Sequence, residues 1–134
     1  MSVYNDVRIL IQRKDYEDLR EKVKNQGWGE YHLMKFDQAT IKPVKTYFEG
    51  YDNFIMLCWN YVKWDLPTDE LVQMIVEYID MLIRNNIPCR YMCLSELGTI
   101  DERKGVGNDD PNLIPFIEGA MWVHSEIKSP EYYF

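Results

Sequence analysis

Three cysteines in 134 residues, Cys58, Cys89 and Cys93, are too few and too odd in number for a disulfide framework, so a secreted, stapled scaffold is excluded and reduced thiols are expected. Long apolar runs are missing as well. The longest, Phe54 to Trp59, falls far short of the roughly 20 residues that a membrane-spanning helix needs, so no membrane association is expected. The opening residues MSVYNDVRILIQRKD contain Asp6 and too short an apolar stretch for a signal peptide, which points to the cytoplasm. Basic residues are scarce where acidic ones gather. Residues 1–64 hold 10 Lys/Arg against 9 Asp/Glu, and residues 65–134 hold 5 against 13, so the net charge of −7 arises in the second half. Phosphate backbones repel such a surface, and direct nucleic-acid binding is not expected.

Motifs of catalysis and metal binding are also lacking. There is no G-x-S-x-G and no H-E-x-x-H, and neither His32 nor His124 stands at a known Cys–His spacing. Cys89 and Cys93 share one face of a strand, but their Cα atoms would lie roughly 13 Å apart, too far for a disulfide and poor for a shared zinc. Gly105–Val106–Gly107 lacks the third glycine of a phosphate loop, and Asp109–Asp110 lacks the calcium-loop spacing. No metal and no cofactor are expected.

What is present is apolar and aromatic: 46% hydrophobic residues, with ten Tyr and four Trp, enough for one domain over residues 1–134 with its own core. Val7, Ile9 and Ile11 alternate as a strand over 6–12, and Asp15 reads as the N-cap of a helix running to Asn25. Residues 30–36 read as a strand, 39–43 as a turn and 44–48 as a further strand. Residues 53–64 are apolar on both faces, with Ile55, Leu57, Trp59 and Tyr61 on one, and are expected in the middle of the sheet. Thr68 reads as the N-cap of the strongest helix, with Glu70, Gln73, Glu77, Asp80 and Arg84 on its polar side and Leu71, Val72, Ile75, Ile79 and Leu82 on its apolar side. A strand follows over 87–96, then a long acidic loop over 97–112. Residues 114–127 hold an edge strand, and the tail is irregular. The order predicts an α+β fold, a ferredoxin-like split β-α-β sheet with helices on one face and a C-terminal extension.

Aromatics on a sheet also suit RNA stacking, with Trp59, Tyr61 and Trp64 as candidates, but too few basic residues surround them. Protein interfaces use Tyr and Trp as anchors. Phe54 to Trp64, with its Trp59-x-x-Val62-Lys63-Trp64 pattern, followed by an acidic helix and by Tyr91 to Glu96, resembles small acidic proteins of bacteriophages and other mobile elements. The likeness covers residues 54–103, with Leu97–Gly98–Thr99 in place of a Gly–Glu–acidic run. Some such proteins inhibit host defence, anti-CRISPR proteins among them, and the resemblance implies that role here.

The expectation is therefore a non-catalytic protein-binding module that occupies a basic surface, such as one on a nucleic-acid enzyme of the host. Its partner-binding residues would be Asp65, Asp69, Glu70, Glu77, Asp80, Asp101, Glu102, Asp109 and Asp110 for charge, with Trp64, Tyr132, Tyr133 and Phe134 as anchors. Two alternatives stand beside it: a small ligand- or nucleotide-binding protein or enzyme with a pocket under residues 97–112, and a structural homodimer.

Overall fold

In a computed structural model of the chain, residues 4–43, 53–95 and 100–106 are described. The chain order is β1 (Tyr4–Gln12), α1 (Arg13–Lys24), α2 (Glu30–Asp37), β2 (Thr40–Pro43), β3 (Phe54–Lys63), α3 (Glu70–Arg84), β4 (Cys89–Ser95) and β5 (Ile100–Val106). The strands form one sheet in the order β2-β3-β1-β4-β5, with every neighbouring pair antiparallel. The class is α+β, as expected. The narrower ferredoxin-like plan is not established, since a second helix precedes β2 and a fifth strand lies beyond β4.

Period-two alternation sorts each strand between two faces. Val7, Ile9 and Ile11 of β1, Ile55, Leu57 and Trp59 of β3, and Cys89, Tyr91 and Cys93 of β4 join the helices in one core. Into it α1 sends Leu19 and Val23, α2 sends Phe36, and α3 sends the predicted stripe of Leu71, Val72, Ile75, Ile79 and Leu82. The face away from the helices is buried too, by Leu10, Met56, Cys58, Met92 and Leu94. Strand β1, buried on both faces, holds the middle of the sheet; β3, expected there, is its neighbour.

Several local expectations are overturned. Residues 30–37 are a helix, not a strand, because Leu33 and Phe36, one turn apart, both turn inward while Tyr31 and Met34 turn out. Thr40–Pro43 is a strand paired with Cys58 to Ile55, not a turn. The segment read as an acidic loop contains β5, whose residues 100–106 pair with β4; its remaining residues fall outside those described, as do the strands expected over 44–48 and 114–127. Helix α1 starts at Arg13 with Gln12 as N-cap, so Asp15 sits buried in the first turn instead of capping. Burial pushes its carboxyl up, Lys14 opposes and Asp18 reinforces. Asp69 caps α3, not Thr68: its side chain accepts from the amides of Leu71 at 2.9 Å and Val72 at 3.2 Å.

The β1–β3 ladder slips between Asn5 and Val7, where two residues of β3, Asn60 and Tyr61, stand opposite Asp6. Tyr61 takes the left-handed conformation, φ 52°. Its amide donates to Asp6 Oδ1 at 2.8 Å, and Asp6 Oδ2 lies 3.6 Å from Arg8 Nη2, both side chains fully buried. Arg8 Nη1 donates to the carbonyls of Val7 and Trp59, each at 3.1 Å. The extra residue reverses the faces beyond it. Tyr61, expected beside Trp59, points outward, and Val62 packs on the core instead.

Breaking a buried ion pair from one side leaves an uncompensated charge. Asp6→Ala is therefore expected to lower stability to urea by about 3–5 kcal/mol and to release the Tyr61 amide to fast hydrogen exchange. A loss below about 1 kcal/mol would show that the pair does not hold the bulge.

Candidate functional site

Helix α2 begins after Gly29, whose φ of 87° suits a residue without a side chain. It is fastened on three sides. On one side Arg20 of α1 makes a forked pair with Asp37, at 3.0 and 2.8 Å. On the others the Lys35 ammonium donates to Asp69 Oδ2 at 2.6 Å and to the carbonyl of Lys63 at 3.0 Å, while the Lys35 carbonyl accepts from Trp59 Nε1 at 3.1 Å. One residue thus ties α2 to the cap of α3 and to β3.

This fixes what α2 shows to solvent. Tyr31 is 72% exposed and Met34 62%, and Tyr61, turned out by the bulge and stacked on Tyr4 at 4.2 Å, is 56% exposed. The three border one shallow cleft of about 260 Å³ between α2 and the end of β3, floored by Val62. Tyr31 and Lys63 also border a second, of about 460 Å³, that runs to His32, Asp65, Asp69 and Glu70. A third, of about 440 Å³, lies across Met34, along Glu30, Leu33 and Asp37.

Among the described residues, the predicted acidic residues do not form one surface. Asp65, Asp69 and Glu70 meet at the second cleft. Asp80 and Glu102 converge elsewhere on Lys104, at 2.7 and 3.2 Å, and hold that ammonium above its ordinary value against the opposing effect of burial. Glu77 is exposed on α3. Asp101 falls within β5, and Asp109, Asp110, Tyr132, Tyr133 and Phe134 lie outside the described residues. Trp64 is not an open anchor: half-buried, it packs on Trp59 at 5.4 Å and donates to the Tyr91 hydroxyl at 2.8 Å.

Within the second cleft the three carboxylates differ. Burial pushes the Asp69 carboxyl up, but Lys35 and the amides of Val72 and Leu71 outweigh it and hold the group below its ordinary value. Asp65 accepts from the Thr68 hydroxyl at 2.8 Å, and Glu70 Oε2 lies 3.7 Å from His32 Nε2. Among the described residues neither Asp65 nor Glu70 is paired with a Lys or Arg. His32 itself packs against Trp28 at 4.8 Å and Tyr31 at 5.8 Å.

The face offers apolar area and, among the described residues, two carboxylates that no Lys or Arg pairs. The cysteines are buried away from it, and burial pushes the Cys89 thiol up to about 11. Among the described residues no group of three His, Cys, Asp or Glu could hold a metal ion, and no helix is long and apolar enough to cross a membrane. Comparisons with protein-family models, curated proteins and solved structures give no match.

Sequence reasoning overlooked Tyr31, Met34 and Lys35 because residues 30–36 read as a strand. The 3.6-residue recurrence of Trp28, His32 and Phe36 was the available signal. Alternation along β3 predicts Tyr61 beside Trp59, and the bulge turns it to the other face.

Because Asp69 titrates below an ordinary carboxyl, its charge stabilises fully above about pH 4, and that contribution is lost as pH falls through its lowered value. Asparagine caps a helix as well as aspartate does but cannot pair with Lys35. Asp69→Asn is expected to cost about 1 kcal/mol at pH 7 and much less at pH 3, measured by urea unfolding. An equal loss at both would show that the Lys35 pair contributes nothing.

Proposed function

We propose that this protein is a non-catalytic protein-binding module that docks a basic partner on the face formed by α2 and the end of β3. The observation that carries the reading is the convergence of Tyr31, Met34 and Tyr61, all largely exposed, on one cleft. Single exposed apolar residues are ordinary on a protein surface, whereas a contiguous set with two tyrosines has the composition of an interface centre. Asp65 and Glu70 beside it supply the rim and favour a cationic partner over a phosphate backbone. This keeps two of the acidic residues expected from sequence and replaces Trp64 by Tyr31, Met34 and Tyr61 as anchors. The resemblance of residues 54–103 to proteins of phages and mobile elements adds the proposal that the partner is a host defence or nucleic-acid-handling protein, met in the host cytoplasm.

The test is co-purification of the tagged chain from the cell that carries its gene, followed by affinity measurement with the partner so obtained. Tyr31→Ala and Tyr61→Ala, at exposed positions, are expected to change stability by less than about 1 kcal/mol and to weaken binding tenfold or more each. Binding by the unaltered chain is expected to weaken as salt rises. Unchanged affinity in both variants would refute the reading.

A further inference from the structure

We infer that the partner is gripped at two adjoining points: an apolar side chain in the cleft between α2 and β3, and a Lys or Arg laid over the Tyr31 ring towards Asp65 and Glu70. This rests on the protein-binding reading above and names the recognition element. The first cleft, about 260 Å³ and open to solvent, is walled by Tyr31, Met34 and Tyr61, with Lys35, Gln38 and Lys63 also lining it, and its apolar walls leave room for a ring-sized group. It accepts one large apolar side chain. Tyr31 and Lys63 border both clefts, and Tyr31 is the most exposed of the three walls, so its ring is open to whatever enters the second cleft. An ammonium or guanidinium gains from an aromatic face and from carboxylates together.

The charge pattern favours a cation. Asp37, Asp69, Asp80 and Glu102 each already hold a Lys or Arg of the chain. Asp65 and Glu70 do not, among the described residues. Glu70 opens α3, where the helix dipole would oppose a cation, but the Asp69 carboxylate already occupies the amides of Leu71 and Val72. Among the described residues, Lys63 lines both clefts and Lys35 the first; with Asp69 and Lys35 cancelling, Asp65 and Glu70 still leave the rim negative. Because the clefts share a single ring, the two partner residues must stand close. Two residues apart in an extended segment, or three to four apart on a helix, places two side chains about 5–7 Å apart on one face.

The experiment selects random peptides of about a dozen residues, displayed on phage, against the full chain, its Asp65→Asn/Glu70→Gln variant and its Tyr31→Ala/Tyr61→Ala variant. The expected result on the unaltered chain is enrichment of an apolar residue with a Lys or Arg at one of those spacings. On the carboxylate variant the apolar residue should persist and the basic one should lose its preference. A selected peptide, measured by calorimetry, should bind that variant about three- to tenfold more weakly and should lose the same factor from the unaltered chain when its basic residue becomes Gln. Selection without a basic residue, or with the same one on the carboxylate variant, would overturn the two-point grip and leave the protein-binding reading standing. Enrichment of the same peptides on the Tyr31→Ala/Tyr61→Ala variant would overturn both.

Discussion

The amide of Tyr61, received by the buried carboxylate of Asp6, is the contact on which the exposed face depends. A bulge leaves one residue of a strand outside the ladder, and its amide needs another acceptor. Asp6 provides it, and Arg8 beside it, fully buried, provides the charge that makes a carboxylate tolerable inside the sheet. The consequence is a change of side for everything after Asn60. Without the bulge Tyr61 would follow Trp59 into the core, Val62 would turn out, and the cleft would lose one wall. A polar pair in the centre of the sheet thus determines which ring the protein shows at its surface.

The second constraint is Lys35. Helices of eight residues are not stable by propensity alone and stand only where tertiary contacts hold them. Here the ammonium joins the cap of α3 to the end of β3, and Arg20–Asp37 secures the other flank. Phe36 goes inward as the single fully buried side chain of α2, leaving Tyr31 and Met34 outside. The same cap residue, Asp69, lines a cleft with Asp65 and Glu70, which no Lys or Arg pairs among the described residues, so aromatic area and negative charge sit side by side.

How much of this could be read in advance follows from where the determining forces lie. Strands β1, β3 and β4 and helix α3 carry their own periodicity, and their existence and type are legible within a residue or two, with the inward face of α3 and that of β3 as far as Trp59. Helix α2 was not, because Tyr31 and Leu33 imitate alternation over a segment too short for period to decide. Strand β5 was not, because Asp101, Glu102, Arg103 and Lys104 read as a solvated loop, although charge is common on strands at the end of a sheet. The bulge could not be seen at all: it exists only through the partner strand. The acidic surplus was legible as a count but not as a place, since Lys104 gathers Asp80 and Glu102 far along α3 from Glu70.

The central claim is that the α2–β3 face, and not the outer side of α3, is where another protein binds. The native thiols Cys58, Cys89 and Cys93 are buried, so a single added cysteine can carry a bulky polyethylene glycol maleimide to one chosen place. Met34→Cys and Glu77→Cys, each so labelled, compare the two surfaces in capture of the co-purifying partner. The account predicts capture lost with the group at position 34 and kept with it at 77; capture kept at 34 and lost at 77 would contradict it.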